Sequence, residues 1–162
     1  AFDSGRFPSQ EFGSQILSNK FKVKQNSILV SKLNPRIPRI WPIKKVDEAN
    51  SICSTEFLVL TPAQPSYYSY ALNLLSLSSN QETMRSRASG TSSSHQRISH
   101  KDLLSIMISI PSDDLITLFD RIVSDYFHYI GNSLDEMINL STIRDRLLPY
   151  LLDSQNSLGN EN

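Results

Sequence analysis

The sequence predicts an α+β chain: a domain built on a mixed β-sheet over residues 1–111, a long C-terminal amphipathic α-helix over 112–153, and a disordered polar tail over 154–162. Three observations carry this expectation. Lysines alternate with apolar residues between Phe21 and Leu33, three prolines crowd the stretch that follows, and a helical spacing sets in at Ser112. A chain of 162 residues, 39% hydrophobic and 20% charged, has room for one globular core with a helical extension and falls outside the disordered class.

FKVKQNSILVSKL, at 21–33, has the pattern of strands with one wet face joined by an Asn-Ser turn. NPRIPRIWPIK, at 34–44, places Pro35, Pro38 and Pro42 close together, which excludes a helix or a central strand and predicts an extended loop. Ser54–Leu60 reads as a short buried strand stopped by Thr61-Pro62, and Ser66–Ser78 as a modest helix. Residues 85–100 are polar and read as a loop, while Ile106–Ile110 resembles one more strand, closed by Pro111.

Ser112 is a good N-cap, and Asp113 and Asp114 place negative charge on the positive end of a helix dipole. Leu115, Phe119, Ile122, Tyr126 and Ile130 then recur at intervals of three and four, and the same face continues through Met137 and Leu148. Gly131 and Asn132 do not break that phase. A helix to about Leu148 is roughly 50 Å long, more than the preceding domain can cover, so part of its apolar stripe is expected to meet another chain. Pro149 is expected to kink or fray the last turn.

The formal net charge of zero conceals a polarity. Residues 1–112 carry 13 Lys and Arg against 7 Asp and Glu, or +6, and residues 113–162 carry 3 against 9, or −6. A basic first part suits a polyanion such as double-stranded DNA, because neutralising phosphates releases counterions; the acidic second part would be repelled from it. The bland alternative is that two solvated faces differ by chance. Apolar runs such as Ile28–Val30 and Phe57–Leu60 fall far short of the roughly 20 residues of a membrane span. The opening AFDSGRFPSQ is not a secretory signal, and Ala1 in place of Met points to a processed or truncated start. The single Cys53 has no disulfide partner within the chain and no zinc-site neighbours, which fits a cytoplasmic protein.

No catalytic motif stands out. Ser93, Ser94, His95 and Asp102 lack the nucleophile elbow and oxyanion-hole glycines of a triad. His100 and His128 are isolated, so no metal is expected, and the absence of a Gly-rich phosphate loop argues against nucleotide cofactors. Two polar loops are more informative. In the first, prolines stiffen a backbone that presents Lys32, Asn34, Arg36 and Arg39, and pre-ordered Arg and Asn suit guanine and adenine edges. The competing reading is a Pro-rich connection with Trp41 tucked into the core. In the second, Thr91, Ser92, Ser93, Ser94, His95, Gln96 and Arg97 offer donors for phosphate oxygens, with Arg85 and Arg87 just before them. Its alternative is a surface turn with local Ser and Thr bonds.

These loops, in this order and followed by the helix, resemble the target-recognition domain and conserved helical region of type I restriction-modification specificity subunits. The resemblance rests on ILVSKLNPRI at 28–37, STEFLVLTP at 54–62, ASGTSSSHQRI at 88–98, the Ile108–Pro111 exit into the helix and IRDRLLPYLL at 143–152, and covers about residues 10–153. It implies a domain entering the major groove of one half of a split target. It also implies a helix that packs antiparallel against its counterpart and engages the modification subunit, with Arg144 of the RDRLLP segment joining that face. Chemistry would lie elsewhere: a modification subunit methylates adenine from S-adenosylmethionine, and a restriction subunit cleaves with ATP. No catalytic residue and no cofactor are expected in this chain.

Full-length members carry two recognition domains and two helical regions, whereas one of each is expected here, as in a half-subunit, a fragment or a degenerate gene. Tyr150 replaces the usual Lys, and Asp153-Ser154 stand where Ser-Gly is common. Because family-wide motifs do not encode a variable target, the ASGTSSSHQRI loop is assigned to phosphate contact or framework. Two copies pairing through Leu115, Phe119, Ile122, Ile130, Met137 and Leu148 would restore a two-fold arrangement. The rival readings are a non-catalytic helical adaptor that binds only protein, and the severed recognition domain of a single-chain restriction-methylation enzyme.

Overall fold

The computed structural model describes residues 11–90 and 96–158. The chain is α+β: a small antiparallel sheet region followed by a long C-terminal helix. Two compact units are formed, Ala1–Ile122 and Val123–Asn162.

Within the first unit, β2 (Ser27–Ser31) is the middle strand of a three-stranded sheet of order β3-β2-β5, between β3 (Ile40–Ile43) and β5 (Phe57–Leu60). A second sheet pairs β1 (Lys20–Lys22) with β4 (Ile52–Ser54). Every pairing among the described residues is antiparallel, so the expected single mixed sheet is replaced by two small antiparallel ones. Nor does β2 have the expected wet face: Ser27, Ile28, Leu29 and Val30 are all buried, because the strand is central and covered on both sides. Burying each of its apolar side chains contributes about 1.5–3 kcal/mol.

The turn before β2 falls at Gln25 and Asn26, where Asn26 adopts a φ of 56°, a left-handed conformation that Asn tolerates better than most residues. Residues 40–43, expected in a loop, form the edge strand β3. Pro42 is compatible with that position. Ser31 N donates to Arg39 O, and the antiparallel alternation then makes Ile28–Pro42 a non-hydrogen-bonded pair, so the missing N–H costs the ladder nothing. The strand expected over Ser54–Leu60 is interrupted by a turn at Thr55 and Glu56, which sends β4 and β5 into different sheets.

Helix α1 (Tyr67–Ser76) matches the expected helix and ends where Leu77 turns extended, with Asn80 Nδ2 donating to Leu74 O at 2.8 Å. Residues 85–100 are only partly loop: α2 (Ser78–Ser86) takes in their start and α3 (His100–Leu104) begins at their end. Ser99 caps α3, its Oγ accepting from Asp102 N at 3.1 Å and donating to Asp102 Oδ2 at 2.5 Å. Ile106–Ile110, expected as a strand, pairs with no strand among the described residues, and its Ser109 carbonyl accepts instead from the Tyr70 hydroxyl.

The long helix α4 (Asp113–Leu158) begins where Ser112, Asp113 and Asp114 predict. Its first turns dock on α1. Ile116 is buried, Tyr67 Oη donates to Asp113 Oδ1 at 2.5 Å, Ser69 Oγ donates to Asp120 Oδ1 at 2.5 Å, and the Tyr70 and Phe119 rings meet edge to face at 6.5 Å. The carboxylate of Asp113 also pushes the pKa of the Tyr67 hydroxyl above its usual value, chiefly by accepting its hydrogen bond. At its other end α4 outruns the expected boundary: Pro149 lies inside the helix, which continues through residues 154–158 of the expected tail. Its 46 residues make about 13 turns. Proline removes one backbone bond inside a helix, at a cost of about 3 kcal/mol, and the turns on either side of residue 149 persist despite it.

Gly131 sits within α4, and a Cβ added there would meet nothing within 4 Å. Replacing it with alanine, Gly131→Ala, is therefore expected to stabilise α4 by about 1 kcal/mol, read as a raised thermal unfolding midpoint followed by far-UV circular dichroism.

Candidate nucleic-acid interface

The two polar loops come together through the backbone. Asn34 N donates to Gln96 O at 2.8 Å, and Ile98 N donates to Lys32 O at 3.0 Å. These bonds flank a bridge between Leu33 and Arg97, and Arg97 forms a second bridge with Ser89 on its other side. Ile98, almost wholly buried, pins the arrangement to the core. Residues more than 60 positions apart in the chain, Lys32 and Asn34 on one side and Gln96 and Arg97 on the other, thus share one small surface.

The first loop is shaped by Asn34, whose φ of 48° is left-handed and whose carbonyl accepts from Ile37 N at 3.0 Å to close a turn. Its Oδ1 is buried without a hydrogen-bond partner among the described residues. Pro35 is buried behind it, and Arg36 is exposed between Asn34 and Ile37. Arg39 is half-buried, and its carbonyl accepts from Ser31. Trp41 is half-buried on β3, so the Pro-rich segment is at once a connection into the sheet and a platform for exposed Arg36.

The remaining basic candidates are engaged locally. Lys32 Nζ donates to Thr55 O at 2.7 Å and lies 5.5 Å from the centroid of the Phe21 ring. Arg97 Nε donates to Glu56 Oε2 at 3.0 Å. Arg85 pairs with Glu82 at 2.9 Å across one turn of α2, and Arg87 Nη1 donates to Asp102 O at 3.2 Å and to Ser105 Oγ. Arg85 and Arg87 therefore serve α2 and α3, whereas Lys32 and Arg97 meet around the Thr55-Glu56 turn. Gln96 is half-buried. Thr91, Ser92, Ser93, Ser94 and His95 lie outside the described residues, as does any arrangement of Ser93, Ser94 and His95 with Asp102.

Three residues of this cluster are absent from the sequence-based set: Phe21, Thr55 and Glu56. Glu56 is the more consequential, since it places a carboxylate within a basic surface and its carbonyl accepts from Lys32 N at 2.8 Å. Nearby, Lys20 and Lys22 are exposed on β1, opposite Ser54 and Ile52. Cys53 is half-buried opposite Phe21; burial pushes the pKa of its thiol up, against the smaller opposing influence of Lys32. Among the described residues no group of three His, Cys, Asp or Glu side chains stands close enough to hold a metal ion, and no helix is long and apolar enough to cross a membrane.

The helix-borne candidates divide between the units. In the first, Leu115 and Ile122 are exposed and Phe119 is half-buried beside an open apolar cleft of about 420 Å³, lined also by Tyr70, Leu74 and Leu77. In the second, Tyr126, Ile130, Met137 and Leu148 are all exposed, with Leu148, the least exposed of the four, at 49%. Tyr126, Ile130, Met137, Leu140, Leu147 and Leu151 follow alternating steps of four and three with Ser133 and Arg144 in register, the repeat of a coiled-coil seam. Arg144 donates to Asp145 Oδ1 at 2.7 Å through Nε.

No protein-family model matches this chain, and comparison with the curated proteins finds no match.

Because the Cys53 thiolate is disfavoured by burial, iodoacetamide labelling at neutral pH is expected to be slower in the folded protein than in the denatured chain. Equal rates, followed by mass spectrometry, would show that β4 does not shield the thiol.

Proposed function

We propose that this chain is a DNA-reading specificity module of a type I restriction-modification complex, without catalytic activity of its own. The observation that carries the proposal is the backbone tie between the two polar loops, which gathers Lys32, Asn34, Gln96 and Arg97 beside exposed Arg36. Donors held by a rigid backbone lose little freedom on binding, which is what reading base edges and phosphates demands. The target-recognition assignment of residues 1–111 follows from this cluster, from the basic balance of that part and from the sequence resemblance. In this reading the module acts in the cytoplasm, recognises one half of a bipartite site on double-stranded DNA and holds the modification and restriction subunits there.

The second support is the exposed apolar seam of α4. Side chains such as Met137 and Leu147, each more than half exposed, present apolar area that association with another chain would bury. Methyltransferase docking and pairing of two copies both use such a face, and pairing would supply the second half of a two-fold recognition unit. A specific observation favours the adaptor as the second reading: Lys32, Arg85, Arg87 and Arg97 all have partners within the chain, as cations of a solvated structural surface would. A severed recognition domain of a single-chain enzyme would share the DNA-facing loops and differ in its neighbouring genes.

Titration of the full chain with duplex DNA over a salt series separates these readings. A DNA reader is expected to bind at low ionic strength, its log affinity falling linearly with log salt as counterion release becomes less favourable, whereas an adaptor shows no binding at any salt. Sedimentation of the full chain tests the seam: a concentration-dependent dimer is expected, which Met137→Glu weakens, and a monomer at high concentration would exclude self-pairing.

A further inference from the structure

Arg97 is held at both ends. Its backbone N donates to Ser89 O at 2.9 Å and its carbonyl accepts from Ser89 N at 3.0 Å, while its Nε donates to Glu56 Oε2 at 3.0 Å. Glu56 is itself fixed: its N donates to Ser54 Oγ at 3.2 Å and its carbonyl accepts from Lys32 N at 2.8 Å. The two side chains remain 50% and 46% exposed. The carboxylate thus occupies the inner edge of the guanidinium, and Nη1 and Nη2 have no hydrogen-bond partner among the described residues.

This geometry separates two uses of an arginine. Phosphate attraction depends on net charge, and a guanidinium already paired with a carboxylate releases few counterions. Base reading depends instead on two directed N–H donors in a fixed plane, and the outer edge of Arg97 offers those donors with much of its side-chain freedom already removed. Resting on the DNA-reading function proposed above, we infer that Arg97 reads a guanine, its Nη1 and Nη2 donating to O6 and N7 in the major groove. Glu56 is the positioning residue that sets the plane of the guanidinium. At Arg97 this departs from the phosphate-contact or framework role that the sequence resemblance implies for the loop, a role left to the rest of its backbone and side chains.

The test is enrichment of a duplex pool with a randomised core by the full chain, sequenced for wild type, Arg97→Lys and Glu56→Gln. Wild type is expected to enrich a motif with a fixed guanine. Arg97→Lys keeps the charge and loses the fork, so it should lower preference at that guanine by about 5- to 150-fold while leaving the salt dependence unchanged. Glu56→Gln should relax the same position without lowering the thermal unfolding midpoint, a combination that a merely structural role would not give. An unchanged motif in Arg97→Lys, or a uniform loss of affinity across all sequences, would assign Arg97 to phosphate contact or to the fold and overturn the inference. An unchanged motif in Glu56→Gln would remove the positioning role. If wild-type chain binds DNA but enriches no guanine, the inference fails and the DNA-binding function stands; if it binds no DNA at low salt, the function itself fails.

Discussion

The hydrogen bond from Ile98 N to Lys32 O is where the distant parts of the first unit become one surface. Ile98 is buried to 1% exposure, so its backbone is not free to drift, and it carries Arg97 and Gln96 to the end of β2. There the Lys32 backbone also binds the Thr55-Glu56 turn. One residue of β-like chain, flanked on both sides, thus fixes three loops. Closing a loop of this length costs entropy, and the burial of Ile98 together with the bonds on both sides of Arg97 offsets it.

How much of this was legible in the sequence depended on whether the signal was local. The start of α4 was legible because Ser112, Asp113 and Asp114 mark it within three residues, and its face because Leu115 to Ile130 keep phase. Its end was misread because Pro149 is a strong local breaker, while the apolar residues on both sides, Leu147, Leu148, Leu151 and Leu152, continue the helix past it. Helix α2 gave no periodic signal, since Met84 is its only buried residue. By contrast α3 carried one, the Ser99–Asp102 capping pair, inside a stretch whose polarity reads as loop.

The candidate site divides the same way. Residue types suited to nucleic acid were visible at Lys32, Asn34, Gln96 and Arg97, since each can be judged alone. Their juxtaposition was not, because the bonds joining them span more than 60 residues. Glu56 was invisible for the same reason: its ion pair with Arg97 spans 41 positions, and a charge balance over 112 residues counts the carboxylate without saying which cation it neutralises. The seam of α4 is set by local spacing, and Tyr126, Ile130, Met137 and Arg144 of it are named from the sequence, with Leu148 in place of Leu147 and without Leu140 and Leu151.

The left-handed backbone of Asn34 has a consequence for how such a surface changes over generations. Few residue types accept a φ of 48°, so position 34 is restricted by geometry to Asn, Asp or Gly, and Pro35 is restricted by burial. Arg36, exposed in the turn these residues close, carries neither restriction. The loop thereby behaves as a fixed mount with an interchangeable tip. Drift at position 36 changes the side chain that the turn presents while the mount, and the sheet behind it, remain as they were.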